Sequence, residues 1–449
     1  MGQSRMQISN YFGTDFGANQ LGGVSEKIAF YTPMGMYMAA RAINRVFLSM
    51  VVLLLGSTQV HAAGFYLSEV GTPGSVGTAG VANPTNTFIA DASWTNPAGM
   101  TGMHEDSMLA GGMVTIPKVE FDSRVATAGG SDGGNAGEPA FIPSFFYTRV
   151  LSGRSRLGLS VVAPFGGGFD YGDNFVGRYA LQNVSLSGVA LTPSIAYQVN
   201  DRLSLGGGVS IVYTQLDQEI AIRRPLSQPD GKAKFKDLDD WGYQPILGAT
   251  YQLTDQTLVG LVYRGEMDVD LKGDLSVSLP VPKQNVKIKW DNPQTLEGGV
   301  RHELNDRQTV FFSLGWQDWS AFSNNELSVT NTGIADVTDR KWDDTWHAGV
   351  AYARNLGGGP GHYYSLGLSY ESSPVKDKYR TFDFPVDELW KLAGSYAWQG
   401  SKKLDYAVGA TVYLTGDAPI DQTEQGVRTT GKFDNNMTLF VGGTVRYVF

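Results

Sequence analysis

The sequence predicts an all-β membrane protein: a transmembrane antiparallel β-barrel of 14 strands, with an N-terminal hatch plugging its lumen. Three observations predict it. An export signal precedes the body of the chain, segments of period-two alternation follow it, and the connections between those segments alternate between brief and long.

The export signal lies in RVFLSMVVLLLGSTQVHAAGFYL, from Arg45 to Leu67. Arg41 and Arg45 stand before an apolar run from Val46 to Leu55, and Val60-His61-Ala62 supplies a small-x-small cleavage step. The run is about ten residues, roughly half of what a helix needs to cross a hydrocarbon core, so it reads as a signal rather than an anchor. A short buried helix is the competing reading. Cleavage after Ala62 leaves 387 of the 449 residues, starting Ala63-Gly64-Phe65. Residues 1–37 show no organised pattern and Met38 places both arginines correctly, so 1–37 read as an extension and 38–62 as the signal peptide.

Composition narrows the class. There are no cysteines, which removes disulfides and thiol chemistry, and a net charge of −9 argues against nucleic acid. No later segment is long and apolar enough for a spanning helix.

Alternation organises what remains. In SGVALTPSIAYQV, Val189, Leu191, Pro193, Ile195, Tyr197 and Val199 share one face and small or polar residues the other. Fourteen such segments fall near 105–120, 141–150, 155–164, 187–199, 202–221, 239–253, 257–276, 290–303, 307–320, 341–353, 361–373, 387–398, 404–418 and 435–449. Alternation alone fits a soluble sandwich equally well; the even count and the short turns at 152–154, 200–201, 254–255 and 305–306, set against long connections elsewhere, favour an outer-membrane barrel. Tyr197, Tyr213, Tyr251, Trp316, Trp319, Trp346 and Trp398 fit interfacial girdles, or the core of a sandwich. The last strand ends on Phe449, a terminal aromatic of the kind read by barrel-inserting machinery. Residues 63–104 do not alternate and are rich in Gly, Pro, Asn and Thr; irregular backbone at membrane depth must be enclosed, so they read as a hatch, with a disordered leader as the alternative.

Ala63-Gly64-Phe65, Asn96-Pro97-Ala98, Ala163-Pro164-Phe165-Gly166, Gly177-Arg178-Tyr179, Asp240-Trp241-Gly242-Tyr243 and LGLSYESSPVKD together resemble the long-chain fatty acid transporter family of Gram-negative outer membranes, over essentially all of 63–449. The resemblance implies passive uptake of hydrophobic compounds, long-chain fatty acids or monoaromatic hydrocarbons, leaving sideways through a gap beside a kinked third strand. It also places the Asn-Pro-Ala triplet in the hatch. Pro164 and the glycines 166–168 are suited to interrupting a ladder, so Asn96, Pro97, Ala98, Pro164, Phe165 and Gly166 are the candidate gate, an ordinary outer turn being the other reading.

Candidate ligand contacts are Phe65, Arg156, Arg264 and Lys391, the cations because they suit a carboxylate headgroup. Arg264, Glu266, Asp268 and Asp270 read as one lumen-facing row, with Arg156, Arg301, Lys391 and Arg446 on corresponding faces; mutual neutralisation is the alternative. The basic loop with Arg223, Arg224, Lys232, Lys234 and Lys236 fits outer-leaflet lipopolysaccharide or a fatty carboxylate. His104, His302, His347 and His362 have no serine motif beside them, and no metal cluster or phosphate loop is visible, so no enzyme and no cofactor are expected. A general porin would not need the hatch. The expected partners are a hydrophobic small molecule, outer-membrane lipid and the assembly machinery, with the protein working as a monomer.

Overall fold

The computed structural model describes residues 71–225, 228–278, 282–329, 334–356, 361–434 and 436–449; the expected signal peptide and Phe65 lie outside the described residues. Six continuous strands come first: β1 (Ser107–Lys118), β2 (Ala140–Val150), β3 (Ser155–Asp170), β4 (Asn183–Gln198), β5 (Leu203–Ile222) and β6 (Gly231–Thr254). Four interrupted ones follow: β7 (Thr257–Arg264 and Met267–Val277), β8 (Gln284–Asn292 and Thr295–Asn305), β9 (Gln308–Gln317 and Asn324–Val329) and β10 (Ile334–Asp339 and Thr345–Asn355). The last are β11 (Tyr363–Glu371), β12 (Leu389–Gln399), β13 (Leu404–Thr415) and β14 (Met437–Val448). Each pairs antiparallel with its neighbours, and β1 with β14 from Ser107↔Val448 to Lys118↔Met437 closes the barrel. All fourteen expected strands are present in order.

Which face looks outward separates a barrel from a sandwich. Leu191, Ile195, Tyr197, Leu205, Val209, Leu247, Leu261, Phe312, Leu314, Leu366, Leu392, Val441 and Val445 are exposed, while Ser194, Ser204, Ser210, Thr250 and Thr411 are buried within. Oily side chains outside and small polar ones inside are the inverse of a soluble protein and match a lipid-facing band. Trp241, Tyr243, Trp346 and Trp390 rim it on the long-loop side, and Tyr197, Tyr251, Tyr396 and Phe449 on the short-turn side.

Above the first rim β7 to β10 break one after another. At Gly265–Glu266 the inward parity changes from Val262 and Arg264 to Met267, Val269 and Leu271. This one-residue slip corrects the lumen-facing row: Arg264 points inward, but Glu266, Asp268 and Asp270 point out, where Asp270 meets Lys287 at 2.8 Å. Trp319 is also corrected. It follows the interruption of β9 and is buried inside instead of lying in a girdle.

The long connections carry more order than their composition suggested. β3 runs to Asp170, and Phe121–Ala126, Ala418–Glu424 and Val427–Phe433 pair into a separate three-stranded sheet. Its core is Phe121, Tyr171, Phe175, Phe382 and Phe433, with Tyr171 and Phe175 stacked at 4.4 Å.

Candidate functional site

The N-terminal segment lies inside the closed sheet. From Gly71 to Met100 only Gly74 is exposed. Its short helical turns, Pro73–Val76, Asn83–Thr85, Ala92–Thr95 and Pro97–Gly102, leave many backbone groups without helical partners, and at membrane depth these need polar neighbours. The wall supplies them. Arg156 Nε donates to Met103 O at 2.6 Å, Arg264 Nη2 to Trp94 O at 2.5 Å, and Arg301 Nη1 to Thr85 O at 3.3 Å and Thr87 Oγ1 at 2.8 Å. Ser365 Oγ donates to Gly77 O at 3.0 Å, Thr411 Oγ1 to Val76 O, and Thr101 Oγ1 to Ser204 Oγ at 2.8 Å.

Asn96 joins three parts of this assembly. Its Oδ1 accepts from Ala98 N at 3.1 Å, which caps the Pro97–Gly102 turn. Its Nδ2 donates to Pro84 O at 2.6 Å and to Ala249 O of β6 at 3.3 Å. Pro97 and Ala98 follow as buried residues against β5, where a Cβ on Gly206 would stand 2.4 Å from Ala98 N.

A second feature is a window in the wall. The β2–β3 ladder runs from Val150↔Arg156 to Phe145↔Val161 and stops. Beyond it β2 continues to Ala140 paired with β1, and β3 continues to Asp170 paired with β4, across a register shift between Val162 and Phe165. An isolated bridge, Gly137↔Phe169, frames the far end. Pro164 lies within the shift and has no N–H to give, as has Pro143 on the facing edge, which the sequence reading missed. Pro164, Phe165 and Gly166 thus lie on one edge of the window, within β3 and not in a turn after it.

Gly166 and Gly167 also line an internal cavity bounded chiefly by Leu186, Leu216, Trp290, Trp319, Trp342 and Phe384. Interruption of three strands feeds this cage. Trp290 stands two residues before the end of the outer half of β8, Trp319 and Phe322 lie between the halves of β9, and Trp342 between those of β10. Phe384 comes from the inward-folded connection 372–388. The rings meet at 4.7 Å for Trp290–Phe322, 5.3 Å for Trp319–Trp342 and 5.6 Å for Trp342–Phe384. Such a surface suits apolar solutes, since burying them gains roughly 25 cal/mol per Å². Farther out lies a second cavity with Ile220, Phe235, Ile288 and Leu327 in its wall.

The candidate cations divide by position. Arg156 and Arg264 grip the N-terminal segment as above, and the Arg264 guanidinium lies 4.3 Å from the Trp94 ring centre. Lys391 lies 3.8 Å from Glu371 and over the Tyr413 ring, two residues that line the inner cavity. In the basic loop, Lys232 and Lys234 both pair with Glu219, at 2.5 and 2.6 Å. Within the N-terminal segment Asp91 is fully buried, accepting from Thr72 Oγ1 at 2.5 Å and Asn86 Nδ2 at 2.6 Å. Burial raises its pKa to about 6 against the lowering effect of those two bonds.

Comparison with known proteins agrees with this architecture. The profile described as outer membrane protein transport protein (OMPP1/FadL/TodX) matches residues 53–449. A long-chain fatty acid transport protein of Salmonella typhi is 24% identical over 410 residues, covering 82% of this chain and 91% of the relative. Outer membrane protein P1 of Haemophilus influenzae is 23% identical over 420 residues, 82% of this chain and 86% of its own. Among solved structures, a Pseudomonas aeruginosa FadL homologue superposes with a TM-score of 0.77 at 18% identity, over 86% of this chain and 99% of that one. The Ralstonia pickettii toluene transporter TbuX does so with 0.65 at 20% identity, over 85% and 99%. With its outward oily band, its two aromatic rims and a match over nearly the whole described chain, this protein belongs to the outer membrane protein transport family and is a β-barrel of the outer membrane.

Proposed function

We propose that the barrel takes up lipophilic molecules passively, long-chain fatty acids or related compounds, and releases them sideways through the window between β2 and β3. The observation that carries this reading is the continuity of cavity and window: Gly166 and Gly167 belong to both. An oily solute gains little from a watery pore, and a lateral exit passes it from an apolar cavity to the bilayer. In this reading residues 63–104 are the hatch that keeps the lumen shut, no chemical step takes place, and the chain works as a monomer inserted by the assembly machinery, its basic outer loop against lipopolysaccharide.

Monoaromatic hydrocarbons are the second reading, favoured by the four-ring lining of Trp290, Trp319, Trp342 and Phe384. Uptake of labelled oleate and of labelled toluene by cells without their own transporter separates the two substrates.

The test of the route uses the absence of native cysteine. Ile142 and Ala163 belong to one buried cluster spanning the window. Ile142→Cys with Ala163→Cys, joined by a short thiol-reactive bridge, is expected to cut uptake at least tenfold, while either single variant treated with the reagent retains it. Equal uptake by bridged and single variants would overturn the lateral route.

A further inference from the structure

A third cavity lies between the N-terminal segment and the wall, at the short-turn end of the barrel. The segment lines it with residues from Pro73 to Asp91, and the wall with residues near the short-turn ends of β9 to β14 and of β1, among them Leu109, Phe311, Tyr363, Asp405 and Arg446. Gly74, the exposed residue of the segment, belongs to its lining, so solvent reaches it. It shares no lining residue with the two cavities above.

Three charged side chains line it, Asp91, Asp405 and Arg446, and all are buried. Arg446 is committed to the wall: Nε donates to Ser107 Oγ at 3.1 Å and Nη1 to Asp405 Oδ2 at 3.3 Å. The other oxygen of Asp405, Oδ1, is buried without a hydrogen-bond partner among the described residues, and cross-strand Gln399 does not satisfy it. Asp91 accepts from uncharged donors, Thr72 Oγ1 and Asn86 Nδ2. Above the pKa of about 6 that burial gives Asp91, two carboxylates face one guanidinium, and the cavity is one negative charge out of balance.

We propose that this cavity binds a small organic ammonium ion from the periplasmic side, its charge at Asp405 Oδ1 and its apolar body against Phe88, Phe311 and Tyr363. A buried carboxylate oxygen without a donor is costly, and an N–H of a cation both satisfies it and cancels the excess charge. The walls select the kind of cation. Aromatic faces attract ammonium groups, and the apolar lining favours a hydrocarbon body. A metal ion needs several oxygen ligands instead, and no group of His, Asp and Glu among the described residues is arranged to hold one. The bound ion touches segment and wall together. It therefore favours the docked arrangement over any undocked one and holds the segment in place.

The test is calorimetric titration of the full chain in lipid nanodiscs at pH 7.5 with 2-phenylethylamine, a cation at that pH, and with neutral 2-phenylethanol, empty nanodiscs being subtracted. The amine is expected to bind at least tenfold more tightly than the alcohol. Asp91→Asn and Asp405→Asn each bring the charge of the cavity to zero and should bring the two ligands within about twofold. Ala407→Phe alters no charge but fills the cavity, and should abolish binding of the amine even if Asp405→Asn fails to insert. At ten times its Kd the amine should slow amide exchange of residues 72–96 about tenfold. Equal binding of amine and alcohol, a tenfold preference kept by Asp91→Asn, or undiminished binding by Ala407→Phe overturns the site. Unchanged exchange with the amine bound overturns its placement between segment and wall.

Discussion

A Cβ placed on Gly248 would stand 2.1 Å from the side-chain oxygen of Asn96, so the N-terminal segment and strand β6 meet with no room for a side chain between them. Gly248→Val is therefore expected to push the Asn-Pro-Ala turn off the wall. Asn96→Ala removes the turn's cap and leaves the buried Pro84 carbonyl short of a donor, at a cost of about 1–3 kcal/mol. Both variants should raise single-channel conductance in planar bilayers several-fold, because the lumen is no longer sealed. Unchanged conductance in both would show that this contact does not keep it shut.

Much of this arrangement was legible in the sequence, and the reasons for the gaps are physical. Period-two alternation marks a strand where one face meets lipid and the other a polar interior, as in Val189 to Tyr197, and there the reading held. In the outer halves of β7 to β10 the polarity is reversed, with Asp268 and Asp270 facing out and Val269 and Leu271 facing in, so alternation continued across the interruption and did not mark it. The slip at Gly265–Glu266 turned three acidic side chains outward without any change in composition. Asn96 stood out through the Asn-Pro-Ala triplet that helped carry the family resemblance, whereas Gly248 was one glycine among 56. The aromatic cage was hidden for another reason: its rings come from three strand interruptions and one distant connection, which only the closed barrel brings together.

Asp91 makes the N-terminal segment sensitive to acidity, and the sign follows from its raised pKa. Between about 4 and 6 the folded segment holds a proton that the unfolded chain has released, so stability falls as pH rises through that window. The shift from 3.8 to about 6 corresponds to roughly 3 kcal/mol, fully present below pH 4 and lost above pH 6. Asp91→Asn keeps an acceptor for Asn86 and offers an N–H to the Thr72 hydroxyl. Amide hydrogen exchange of residues 72–96, corrected for the intrinsic rates, is expected to be slower at pH 5 than at pH 7 in the unaltered protein and equal at the two in the variant. A variant that keeps the difference would assign it to another group.

At the window, Phe165 and Gly188 are cross-strand partners, and a Cβ on Gly188 would stand 2.4 Å from the Phe165 ring. The ring packs against the inner side of the edge because its partner has no side chain. Gly188→Val should displace it into the opening and lower uptake of a bulky lipophile several-fold. Phe165→Ala clears the edge and should raise uptake, at a cost of about 3–5 kcal/mol for the emptied space. If the ring itself is the obstruction, the double variant recovers the uptake that Gly188→Val loses, and the two changes are strongly non-additive. Simple addition of the two effects would place the obstruction in the backbone of β4, and uptake would then depend on the register shift at Val162–Phe165 and not on the side chain beside it.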